Sequence, residues 1–108
     1  MAHYMVQAAY TAEAIAAMVK SPEDRAAAIR PVVEKLGGKL ESVWFCFGEY
    51  DIVGISQLPD NVSAAAFAFA VSQGGKIRAL KTTPLMSTAD AVKAMKKAGG
   101  AGYRPPGG

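Results

Sequence analysis

Cysteine, histidine and tryptophan occur once each, as Cys46, His3 and Trp44. One cysteine excludes a disulfide within the chain. One cysteine and one histidine leave no usual ligand set for a structural metal. The same scarcity argues against a Ser/His/Asp or Cys/His catalytic set, since Cys46 falls in an apolar strand and His3 beside the terminus. No apolar run reaches the roughly 20 residues of a membrane-spanning helix. The first residues also lack the charged-then-apolar pattern of a secretory leader. These absences predict a cytoplasmic protein with no membrane association, no metal and no cofactor. Phosphate loops are missing too, because neither Gly74-Gly75-Lys76 nor Gly99-Gly100 has the P-loop spacing.

Acidic residues are scarce in the second half. Residues 61–108 hold seven basic residues and only Asp90, a net +6, whereas residues 1–60 hold five basic and eight acidic residues, a net −3. Such asymmetry suits a solvated basic face, an acidic partner, or the mutual attraction of two copies. Nucleic acid is a poor fit, since it calls for interleaved aromatics and a more basic domain.

What is present is apolar and punctuated. Hydrophobic residues form 51% of the 108 residues, many of them alanine. That length suits one domain, spanning residues 1–100. Residues 3–10 suit a strand, and Thr11 caps a short helix over residues 12–19. A second helix starts with Ser21 as cap, Pro22 in the first helical position and Glu23 and Asp24 at the positive end of the dipole. Ile29, Val33 and Leu36 form its buried stripe. Pro31 predicts a kink near residues 27–31. Gly37-Gly38 ends the helix.

Residues 40–47 and 50–58 read as two strands joined by a tight turn at Gly48-Glu49. Both are apolar at odd and even positions, so both sheet faces need cover. Asp60 caps the next helix. There Phe67 and Phe69 point about 160° apart, so only one enters the core and the other must meet a second surface. Residues 76–83 form a fourth strand. Ser87 caps a last helix over residues 88–98, and residues 101–108 form a tail expected to be disordered. The order predicts an α+β, ferredoxin-like βαββαβ fold with a four-stranded antiparallel sheet and an extra C-terminal helix. Its open sheet face would be covered most simply by a second copy, giving a dimeric α/β barrel.

Several pieces, in order, resemble the GYD-domain family of small bacterial proteins: Tyr10-Thr11-Ala12-Glu13, Asp24-Arg25, Gly37-Gly38-Lys39-Leu40, Phe47-Gly48-Glu49-Tyr50-Asp51-Ile52-Val53, Pro59-Asp60-Asn61 and Lys81-Thr82-Thr83-Pro84-Leu85. The resemblance covers nearly everything from Tyr4 to Ala98 and implies a ferredoxin-like domain of the dimeric α/β-barrel type. It implies no activity. The chain departs from the family pattern at Ala14, where glycine is usual, and at Ala89-Asp90, where two glutamates are common.

The ligand-binding candidates are Arg25, Trp44, Phe47, Tyr50, Asp51 and Lys81. Arg25 lies in the first turn of a helix, where the dipole disfavours a cation. That placement suggests a specific partner, either Asp51 or an anionic ligand. Tyr50 and Asp51 are adjacent, so on a strand they face opposite sides. Asp51 then accepts hydrogen bonds from the hairpin, orients a ligand, or acts as a base if burial raises its pKa. Trp44, Phe45, Phe47 and Tyr50 form an aromatic group that either packs a core or dimer interface or lines an apolar pocket. Lys76 and Arg78 share one strand face and Lys81 takes the other, a pattern that protects an edge strand. Beside a binder of an acidic partner through the basic second half of the chain, two functional readings follow. The first is a homo-oligomeric (dimeric or higher) module that binds a small apolar or aromatic molecule or serves in assembly. The second is a cofactor-independent oxygenase- or isomerase-like enzyme with an apolar pocket at the sheet.

Overall fold

The computed structural model describes residues 1–108. The first strand lies inside the sheet. β1 (Ala2–Tyr10) pairs antiparallel with β3 (Ile52–Leu58) on one side and with β4 (Ile77–Leu85) on the other. β2 (Lys39–Phe45) adds outside β3, so the order is β2-β3-β1-β4, as the ferredoxin-like arrangement requires. The register sorts the side chains. One face carries Leu40, Ser56 and Tyr4 in one row, then Val43, Gly54, Val6 and Thr82, then Phe45, Ile52, Ala8 and Leu80. The opposite face carries Gln57, His3 and Leu85, then Ile55, Met5 and Thr83, then Trp44, Val53, Gln7 and Lys81.

Three helices cover the first face. α1 (Ala12–Lys20) lies on β1, α2 (Arg25–Lys35) on β2, and α3 (Asn61–Ser72) on β3 and β4. The core is divided. One cluster joins Tyr4, Val33, Leu40, Leu58, Ala64 and Phe67, and the other joins Ala8, Tyr10, Ala14 and Ile52. Ile29 and Val43 are packed against both, only partly buried.

The expected caps at three helices are present. Thr11 Oγ1 accepts from Ala14 N at 3.1 Å, Asp60 Oδ1 from Ser63 N at 2.8 Å, and Ser87 Oγ from Asp90 N at 3.0 Å. The fourth start differs from the expectation. Ser21 ends α1, its N–H bonded to Ala17 O, and Asp24 caps α2 through Ala26 N at 2.9 Å. Ser21 is taken up by the end of α1, and residues 22–24 form a short non-helical link, so the helix opens three residues later than expected. α2 then runs undivided through Pro31, which is exposed.

The hairpin also differs. β2 stops at Phe45 and β3 begins at Ile52, leaving a connection over residues 46–51 in place of a tight Gly-Glu turn. Cys46 N still donates to Asp51 O at 2.8 Å, which closes the base of that loop.

The opposite sheet face is less apolar than the two hairpin strands imply, because β1 and β4 bring His3, Gln7, Lys81 and Thr83 to it. α4 (Thr88–Gly99) makes no substantial contact with any other element. The molecule measures 58 Å in its longest dimension. No helix is long and apolar enough to cross a membrane.

Candidate functional site

The division of the core follows from small residues at the centre of the helix-facing sheet. Ala8, Gly54 and Ser56 stand where larger side chains would fill the space between α2 and α3. What remains is a cavity of about 250 Å³. Sheet residues such as Val6 and Ile52 line its floor, and Ile29 of α2 and Val71 of α3 line its walls. Leu40, Ser56 and Phe67 mark one end, while Tyr10, Arg25, Lys76 and Ile77 mark the other.

The second end is the polar one. Arg25, the first residue of α2, donates from Nη1 to the Glu23 carboxylate, and Lys76 Nζ donates to Glu13. Both acids lie largely in solvent, with side chains 55% and 76% exposed, whereas that of Arg25 is 29% exposed. The pKa of Arg25 is pushed up, first by the hydrogen bond to Glu23, against desolvation by burial and with help from the Tyr10 hydroxyl. It therefore stays a cation. Its Nε is buried without an acceptor; Thr82 Oγ1 is the other buried side-chain polar atom without a partner.

Of the residues anticipated for a site, Arg25 alone lines this cavity. The expected Arg25–Asp51 pair does not form. Asp51 instead ties the hairpin loop to β1: its Oδ2 accepts from Tyr10 N at 2.8 Å and its N donates to Ala8 O at 2.9 Å. Tyr50 is half-buried in the loop, where its carbonyl accepts from Cys46 Sγ at 3.3 Å. Phe47, at the loop tip, is fully exposed. Trp44 and Lys81 lie exposed on the far sheet face. The aromatic group therefore does not assemble as one; only Phe45 finds a ring partner, stacking on Tyr10 at 6.5 Å.

Sequence reasoning did not single out Tyr10, Gly54, Ser56 or Ala8 for a site, and it read Lys76 as edge protection. A signal was present in Ile52-Val-Gly54-Ile-Ser56-Gln-Leu58, where one strand face reads large, small, small, large.

The far face holds a separate polar cluster. Glu41, the extra residue of a β-bulge between Leu40 and Ser42, reaches His3 Nε2 at 3.0 Å and accepts from Gln57 Nε2 at 2.5 Å. The Gln57 hydrogen bond, opposed by desolvation and joined by His3, holds the Glu41 pKa below its usual value.

Comparison with known proteins agrees with this architecture. The GYD domain model matches residues 4–95. The chain belongs to the GYD domain family. No curated protein matches it. Among solved structures, this GYD domain resembles MtbAldR, with a TM-score of 0.57 and 13% identity over 80% of the chain. It spans about half of that protein, 53% of its length. It also resembles FFRP-DM1, with a TM-score of 0.50 and 13% identity, over 80% of this chain and 100% of that one. Likeness at such identity speaks for the fold alone.

Proposed function

We propose that this GYD-domain protein is a homo-oligomeric module that binds a small, largely apolar molecule between its sheet and the helices α2 and α3. The cavity carries the reading. Eleven of its sixteen lining residues are hydrophobic, and the few polar groups gather at one end, the pattern of a small-molecule pocket.

Self-association rests on the surfaces the single chain leaves bare. Trp44 is 66% exposed on the far sheet face beside Val53, with Met5 and Ile55 in the next row. α4 stands clear of its own body with Val92 and Met95 exposed. The two halves of the chain carry opposite charge, so two copies attract when acidic half meets basic half. Native mass spectrometry of protein purified from cells tests both parts. The expected spectrum is a dimer or larger assembly carrying a small non-covalent mass. A bare monomer that no apolar probe stabilises against heat would overturn the reading.

A further inference from the structure

We infer that the occupant of this cavity is an organic acid: a small apolar body ending in one carboxylate, held by Arg25 and Lys76. The inference rests on the cavity being a binding site and adds the class of ligand. Charge is placed asymmetrically around the lining. Arg25 and Lys76 both stand at the Tyr10 end, and no aspartate, glutamate or histidine lines the cavity anywhere. The surface acids that pair with them, Glu23 and Glu13, lie outside the lining.

Arg25 donates from Nη1 to Glu23, has the Tyr10 hydroxyl beside it, and keeps Nε buried without an acceptor. A buried donor left unmade is costly, and a ligand oxygen satisfies it. The Nε edge of a guanidinium matches the two oxygens of a carboxylate, which a point charge such as lysine does not. Glu23 and Glu13 already offset much of the local positive charge, so a monoanion suits the site better than a phosphate. Ile29, Ile52, Val71 and Phe67 supply apolar walls for the rest of the molecule. At about 250 Å³ the space is just below the ~300–1,000 Å³ of usual ligand pockets. The body is therefore the size of a phenyl ring or a short alkyl chain.

The test uses matched pairs on the full chain: phenylacetate, 3-phenylpropionate and octanoate, each against its amide, by calorimetry and by NMR of the Ile29 and Val71 methyl groups. At least one acid should bind about tenfold or more tighter than its amide, the usual margin for a charge-assisted hydrogen bond. Arg25→Gln should bring that acid down to the level of the amide and leave the amide unchanged. Lys76→Gln should give a smaller loss in the same direction; it stands as a second readout if Arg25→Gln melts early. Acid and amide binding equally well would overturn the inference and leave the cavity reading intact. No binding by any of the six compounds to the folded protein would overturn both.

Discussion

At the scale of the residue, Asp51 ties the hairpin loop to the neighbouring strand. Two contacts, to Tyr10 N and Ala8 O, pin the hairpin loop to the end of β1, and a third, from Cys46 N, closes the loop on itself. A hydrogen bond to a charged group contributes about 1.5–3 kcal/mol. Asp51→Ala should therefore lower stability by about that much in urea unfolding. The affinity of the cavity for its ligand should change far less, because Asp51 does not line it. Asp51→Asn keeps an acceptor and should lie between. Glu41 and Asp60 govern the acid limb instead. Both have folded pKa values below the usual carboxylate range, Glu41 chiefly through Gln57 and Asp60 chiefly through the backbone N–H of Ser63. A depressed folded pKa gives stability that is present above the unfolded value of about 4 and lost as pH falls through the folded one. Melting temperature should fall with pH in that window. In Glu41→Gln and Asp60→Asn the fall should be shallower, and an unchanged slope would remove these two groups from the acid response.

At the scale of the element, two glycines carry opposite predictions. Gly38 follows α2, where an added Cβ would sit 2.2 Å from Gln57 O and 2.6 Å from Leu58 Cδ2. The neighbour at 2.2 Å is strand backbone and cannot move aside. Gly38→Ala should cost about 1–3 kcal/mol or more, read as a lower urea midpoint. Gly54 lies over the cavity, where a Cβ would meet nothing nearer than 3.7 Å. Gly54→Val should raise stability by about 1 kcal/mol, from strand rigidity and partial filling of the void, and should weaken ligand binding. These contrasts mark what was legible in advance. Element order and the caps at Thr11, Asp60 and Ser87 are local properties, and the burial of Phe67 with Phe69 left 75% exposed follows from helical spacing alone. The hairpin loop was not legible, because Phe47 and Tyr50 look like strand residues until Asp51 is seen holding the loop from β1. Nor was the cavity, which depends on register: Gly54 leaves a gap because it stands between Val43 and Val6, with Ala8 and Ser56 in the adjoining rows. Only the pairing of distant strands brings those small residues together.

At the scale of the whole molecule, shape is the decisive observation. The radius of gyration is 17.5 Å, against about 13 Å for a compact chain of 100 residues. Beyond the sheet and its three helices lie the exposed tail and α4, an amphipathic helix with Val92 and Met95 on one side, lysines 93, 96 and 97 beside them, and no substantial packing on any other element of its own chain. An isolated helix of 12 residues is marginal in water, so packing on another copy would stabilise it. Two interfaces can then be separated by substitution. Trp44→Glu strikes the far sheet face, and the pair Val92→Glu and Met95→Glu strikes α4. None of the three residues packs in the core of its own chain, so circular dichroism should stay native in both variants. Light scattering should report a smaller mass for each if both surfaces are interfaces, and the assembly should weaken with added salt as screening separates the acidic and basic halves. A mass that falls only in the α4 variant would assign assembly to the arm and leave the sheet face open. A mass that falls only with Trp44→Glu would assign it to the sheet pairing of a barrel, with α4 free. Wild-type protein that is monomeric at every salt concentration, with the long dimension preserved in solution scattering, would refute self-association on either surface.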